Sequence, residues 1–232
     1  MEKRHRVFVA INLPNEIKKE LEMCGREIQE KFDLVHPHTN LNNDLGDIEL
    51  EGEATSSEYS GSSESIGKID VGIKWVEKDN FHITLEFLGA LTDEEIGEVC
   101  VVVKEVAERY NSFSLELNKV MYGPNKLKSG QAPKFVWAEG EKSKELKLLR
   151  EDLEKSLTEK VRFVPENRAF APHITLARIN SWIWKQIEPE ERPEVDETVD
   201  LPFTVESIDV MESVLRKGGP VYTVLESHQL KS

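Results

Sequence analysis

Cysteine is scarce in this chain: Cys24 and Cys100 are the only two in 232 residues. Two thiols cannot build the disulfide framework of a small secreted domain or a four-cysteine zinc cage, so a reducing cytoplasm is the expected setting. Long apolar runs are also missing. No segment approaches the roughly 18 apolar residues that a membrane span needs, so no membrane association is expected. The charged start, Met1 to Arg6, leads into a short apolar stretch, Val7 to Ile11. That stretch is too short for the apolar region of a signal peptide. Bases are in deficit, with 30 Lys and Arg against 44 Asp and Glu and a formal net charge of −14. What is present is a 38% share of hydrophobic residues in periodic segments, which excludes a fully disordered chain. The length suits one large domain or two small lobes, at about 150 residues per domain.

The acid is unevenly spread. Residues 33 to 68 hold eight acids and one base, Lys68, which is half the net charge. Ala54 to Gly67 adds six serines and two glycines and almost nothing large to bury. Such a composition cannot offset its own ordering entropy, so residues 36 to 67 read as a mobile insertion in a single domain spanning residues 1 to 232. A second acidic stretch, Glu188 to Asp200, contains Pro189 and Pro193 and reads as a surface connection.

Outside the insertion, strands and helices alternate. Val7, Val9 and Ile11 alternate with Phe8 and Ala10, as in a strand buried on both sides. Ile17, Leu21, Cys24, Ile28 and Phe32 share one helical face. A strand-like run at Phe81 to Leu88 precedes Thr92 and Glu95, a capping box for a helix with Ile96, Val99, Val103, Val106 and Tyr110 as its stripe. Strands are expected at Phe113 to Val120, Lys134 to Ala138, His173 to Ile179, Phe203 to Met211 and Val221 to Glu226, with a helix at about Lys144 to Thr158. The pattern predicts an α+β protein with two similar lobes of mainly antiparallel sheet and outer helices.

One word occurs twice. His82-Ile83-Thr84-Leu85 recurs as His173-Ile174-Thr175-Leu176, 91 residues later. In a strand, alternate side chains share a face, so each copy offers an imidazole and a hydroxyl on one face and apolar groups on the other. Two such strands side by side would turn two imidazoles and two hydroxyls toward one cleft. Breaking a phosphodiester P–O bond by in-line attack needs a proton removed on one side and a proton given on the other. Histidine titrates near neutrality and suits both tasks. The hydroxyls can donate hydrogen bonds to the non-bridging oxygens. No metal or other cofactor is required in principle.

These segments and their flanks resemble a known family. Trp75 to Gly89, around the first motif, and Arg168 to Arg178, around the second, are similar to the paired signatures of the 2H phosphoesterases. Within them the chain most resembles the RNA 2′,3′-cyclic phosphodiesterases, also called 2′-5′ RNA ligase-like (LigT-like) proteins. Arg6 to Pro14 is similar to the family's opening strand, and Phe203 to Leu225 to its closing hairpin. The resemblance implies a bilobed fold around a central groove. It implies metal-independent hydrolysis of a terminal 2′,3′-cyclic phosphate on RNA or a nucleoside to a 2′-phosphate. His82 would donate the proton to the departing 3′ oxygen and His173 would activate water. Thr84 and Thr175 would hold the phosphate, and Arg178 matches a phosphate-contacting position. Simple alternation puts Arg178, five residues from His173, on the far face, so a bulge near Ala177 or a strand end that twists is needed.

An acidic protein that binds RNA needs a local excess of base. Lys119, Lys126, Lys128 and Lys134 lie in a stretch without acid, and Lys160, Arg162, Arg168 and Arg178 lie in one with only Glu166. Phe81, Trp137 and Phe170 could stack on a base, though burial in the core is the commoner fate of such rings. His36 and His38 lack a third metal ligand at convincing spacing, and His5 and His228 read as solvated residues near the termini. The partners expected are RNA ends or nucleotides with a cyclic phosphate, met by a monomer with no obligate protein partner. A nucleotide- or RNA-binding module with little turnover is the alternative, and 2′-5′ ligation uses the same groups in reverse. Deleting residues 40 to 66 is expected to leave soluble, cooperatively melting protein, and loss of soluble protein would show that the segment is packed.

Overall fold

In the first strand, β1 (His5–Asn12), the apolar run Val7 to Ile11 is buried on both faces. The computed structural model describes residues 2–35, 73–124, 131–161, 163–165, 170–216 and 219–232. The expected insertion at 36 to 67, with His36 and His38, lies outside the described residues. After β1 come α1 (Asn15–Leu34), β2 (Ile73–Trp75), β3 (His82–Leu91) and α2 (Asp93–Ala107). Then follow β4 (Phe113–Gly123), β5 (Phe135–Gly140), α3 (Lys144–Lys160), β6 (His173–Ile179) and the short α4 (Ser181–Trp184). β7 (Asp196–Val205), β8 (Ser207–Arg216) and β9 (Gly219–Gln229) close the chain.

The strands form two sheets, ordered β3-β1-β8-β9 and β2-β6-β5-β4-β7, with every neighbouring pair antiparallel. This is the expected α+β architecture, and one histidine motif opens a strand in each sheet. Helix α1 crosses to the second sheet, where Gly25 lets the helix backbone approach the Trp75 ring and Phe32 meets Tyr122 and Trp184. Helices α2 and α3 pack together on the first sheet. The capping box of α2 is present: Glu95 N–H donates to Thr92 Oγ1 (3.2 Å), and Thr92 N–H donates to the Glu95 carboxylate (2.8 Å). Leu146, Leu149, Leu153 and Leu157 of α3 are all buried in the common core.

Several expectations need correction. Phe203 to Met211 is not one strand. β7 ends at Val205 in the second sheet, and after Glu206 the chain starts β8 in the first. An apolar alternation carries no mark of which sheet it joins. The end of the acidic Glu188 to Asp200 stretch is not loop but the start of β7, paired with β4. His5 is not free in solvent. It is half-buried, with Nδ1 2.6 Å from Glu212 and Nε2 3.2 Å from Asp93. His228 is buried, because β9 runs to Gln229 and lies against α2.

Arg150 of α3 ties the first sheet to the loop that leads to β6. Its guanidinium lies 2.6 Å from the buried Glu86 of β3 and donates from Nε to Leu85 O (3.3 Å). It also sits 4.8 Å from the centre of the Phe170 ring, in the loop that leads to β6. Removing one member of a buried pair leaves the other charge uncompensated. Arg150→Ala is therefore expected to destabilise the protein by about 3–5 kcal/mol, read as a lower urea midpoint at unchanged slope.

Candidate functional site

Each histidine strand breaks its alternation at the same place. In β6, Thr175 pairs with Trp137 and Ala177 with Val136, which leaves Leu176 without a partner residue across the ladder. In β3, Thr84 pairs with Ala10 and Glu86 with Val9, which leaves Leu85 in the same position. One extra residue shifts the pattern by one side. Leu176 and Ala177 both turn inward, and Arg178 is exposed on the same face as His173 and Thr175. In β3, Leu85 and Glu86 turn inward and Phe87 is exposed on the face of His82 and Thr84. Phe87 thus stands in the first strand where Arg178 stands in the second.

Both imidazoles are anchored in the same way. His82 Nδ1 lies 2.7 Å from Asn80 O, and His173 Nδ1 lies 2.8 Å from Ala171 O. A carbonyl can only accept, so Nδ1 carries the hydrogen in each ring, and in the neutral form Nε2 is the bare nitrogen. Thr84 Oγ1 is 3.0 Å from His82 Nε2 and can donate to it. Aromatic rings hold the orientation. His82 packs against Phe8 (4.9 Å between centroids) and the edge of Tyr222 (5.0 Å). His173 packs against Trp137 (4.0 Å), which stacks on Phe135, over which Arg178 lies at 5.5 Å. Gly123 makes room for this row, since a β-carbon there would come within 2.2 Å of the Trp137 indole.

Burial pushes the His82 ring down to about 4, and the positive charges of Lys18 and a protonated His173 push in the same direction against the Asn80 hydrogen bond. Burial also lowers His173. A charge on His173 thus disfavours one on His82, and both rings are neutral near pH 7.

The structure brings His82 and Thr84 together on β3, and His173, Thr175 and Arg178 on β6. The basic stretches are only partly recruited. Lys119 is paired with Asp196 (2.6 Å) and Lys160 with Glu105, whereas Lys126, Lys128, Arg162 and Arg168 lie outside the described residues. Phe81 belongs to the core and Phe170 packs against it, so of the three aromatics Trp137 alone lines the histidine face.

Two basic residues near the site were not singled out by sequence. Lys74 is opposite Arg178 on β2, a three-residue strand too short to show a period. The buried Lys18 of α1 donates to Asp79 O (3.2 Å) beneath the first motif. Its place in the helical stripe, one residue after Ile17, was the available signal.

The sequence profile described as LigT like Phosphoesterase matches residues 65–132 and 136–222. An RNA 2′,3′-cyclic phosphodiesterase of Aeropyrum pernix is 32% identical over 163 residues, covering 70% of this chain and 89% of that protein. A protein of the same name from Aquifex aeolicus is 30% identical over 185 residues, covering 77% and 95%. The crystal structure of TT0787 of Thermus thermophilus superposes with a TM-score of 0.66 at 25% identity, covering 97% of this chain and 98% of that one. Escherichia coli LigT complexed with 3′-AMP has the same fold, with a TM-score of 0.66 at 19% identity over 99% and 100% of the two chains. With the profile matched along most of its length and relatives this similar over nearly their whole lengths, the chain belongs to the LigT-like phosphoesterase family.

Proposed function

We propose that this protein hydrolyses 2′,3′-cyclic phosphate ends of RNA or nucleosides to 2′-phosphates, with His82 and His173 as the acid and base. The observation that carries this reading is the doubled device: an imidazole fixed through Nδ1 to its own backbone, followed by a hydroxyl, on the open face of each of two neighbouring strands. Binding alone would not call for two such rings within electrostatic reach of each other.

His173 Nε2 takes a proton from water as its oxygen attacks phosphorus. The P–O3′ bond breaks in line, and the proton on His82 Nε2 passes to O3′. Thr84 and Thr175 donate to the non-bridging oxygens, and Arg178 with Lys74 offsets the negative charge. The names of the curated relatives, RNA 2′,3′-cyclic phosphodiesterase, support the substrate class.

The direct test is incubation of chelator-treated protein with a nucleoside 2′,3′-cyclic phosphate. Turnover to the 2′-phosphate is expected, and a strict need for added divalent metal would refute the mechanism. His82→Ala and His173→Ala should each lower kcat by about 10²–10⁴-fold in folded protein. Arg178→Ala should chiefly raise KM, and an unchanged KM would make Arg178 structural.

The proton balance gives a separate check. Burial favours the neutral rings, whereas a bound phosphate anion favours the charged form, so binding should raise the ring pKa values and take up a proton. Affinity for a nucleoside 2′-phosphate should therefore rise as pH falls from about 6.5 toward about 4. Ring titration by NMR with and without that anion measures the shift, and no upward movement would count against the site.

A further inference from the structure

The opposite side of the first sheet holds a second cluster of chemically capable side chains. The change of face again comes from a bulge. In the β8–β9 ladder, Met211 pairs with Val224 and Val210 with Glu226, so Leu225 is left over. Tyr222 therefore lies on the side of Phe8 and Met211, where His82 stands. Glu226 shares a face with its cross-strand neighbours Val210 and Val9, which is the side covered by α2. His228, two residues on, projects to the same side. Cys100 of α2 meets them there.

One thiol sulfur, one carboxylate oxygen and one imidazole nitrogen, from Cys100, Glu226 and His228, all lie within 4.8 Å of one another. Among the described residues this is the one such group of three. A second observation points to a missing ligand. His228 is buried, and its Nε2 has no hydrogen-bond partner. Glu226 Oε1 stands 3.7 Å away, too far for a hydrogen bond. A buried ring nitrogen without a partner is costly unless something else binds it.

We propose that Cys100, Glu226 and His228 form a site for a zinc-class divalent cation, with water in the fourth position. The donor set selects the metal. Thiolate and imidazole are poor partners for Mg²⁺ and Ca²⁺ and good ones for Zn²⁺ and Co²⁺. Tetrahedral bonds of about 2.0–2.3 Å put ligand atoms about 3.3–3.6 Å apart, close to the His228–Glu226 separation already present. Binding exchanges the Cys100 thiol proton for the metal: the S–H bond breaks, the sulfur–metal bond forms, and the proton leaves to solvent. The thiolate and the carboxylate then neutralise the two charges of the cation. The cluster opens to solvent through a depression of about 350 Å³ edged by Lys104 and Glu108, which gives the ion a way in. A bound ion would tie the edge strand β9 to α2, on the side of the sheet away from the histidines.

The test uses the purified full chain after chelator treatment, with Co²⁺ as the probe and Zn²⁺ as competitor. One equivalent of Co²⁺ should produce a thiolate-to-cobalt charge-transfer absorption that Zn²⁺ removes. Cys100→Ser should abolish that absorption, while Cys24→Ser and His82→Ala keep it. Glu226 is exposed, so Glu226→Gln should fold normally and bind Co²⁺ at least about tenfold more weakly. Absence of the absorption at saturating Co²⁺, its survival in Cys100→Ser, or undiminished binding by Glu226→Gln would each overturn the proposal. Turnover is not the readout, so failure here leaves the phosphodiesterase reading untouched.

Discussion

A single unpaired residue in each histidine strand decides what the groove contains. Strand side chains alternate with a period of two, so a residue five positions after the histidine belongs on the core side. The bulges at Leu85 and Leu176 move that residue to the open face. The same shift turns the residue before it inward. In β6 that residue is Ala177, which fits without a partner. In β3 it is Glu86, whose buried carboxylate requires a cation, and Arg150 of α3 supplies it. Because Arg150 also lies over Phe170, the price of the first bulge is met by a contact that steadies the approach to the second motif.

The two walls are alike in backbone and unlike in side chain. The β3 wall presents Phe8, Phe87 and Tyr222 around His82. The β6 wall presents Arg178, with Lys74 beside it on β2. The walls also touch at the rim, where Gly219 at the tip of the β8–β9 hairpin lies against the Lys74 side chain of β2; Asn80, just before the first motif, donates to Pro220 O and so ties that hairpin to the start of β3 within the first sheet. This concentration of base sits in a chain with net charge −14, where the remaining surface repels polyanions. For the reaction proposed above, that contrast favours phosphate at one place rather than along the whole surface.

What could be read from sequence was whatever has a local period or a local cap. The stripe of α1, the capping box at Thr92 and the doubled histidine word all fall in that class. That Arg178 needs a bulge near Ala177 or a twisting strand end to join His173 was also legible, once the resemblance assigned Arg178 to phosphate, and the structure has the bulge. Properties set by distant pairing were not legible. Glu206 gives no hint that the chain leaves one sheet for another. β2 is too short to show a period, so nothing in the sequence marks Lys74. His228 looked terminal and solvated, yet its strand is clamped between β8 and α2, and the bulge at Leu225 turns its ring inward.

The unequal depression of the two imidazoles bears on which does what. In the proposed reaction the donor should be the stronger acid and the acceptor the stronger base. His82 is driven down by deeper burial and by the Lys18 charge, whereas Glu139 near His173 pulls that ring upward. A protonated His82 is therefore the readier donor, and a neutral His173 is the more avid acceptor. The cost is occupancy, since a lone proton favours His173 and the reactive arrangement is the minority form. A phosphate held between the rings changes the balance, because its charge offsets the first proton while mutual repulsion still resists a second. The groove then needs only to place that one proton beside the departing oxygen, and the Thr84 hydroxyl, 3.0 Å from His82 Nε2, gives up its bond to that nitrogen when the ring is protonated and turns to donate to phosphate.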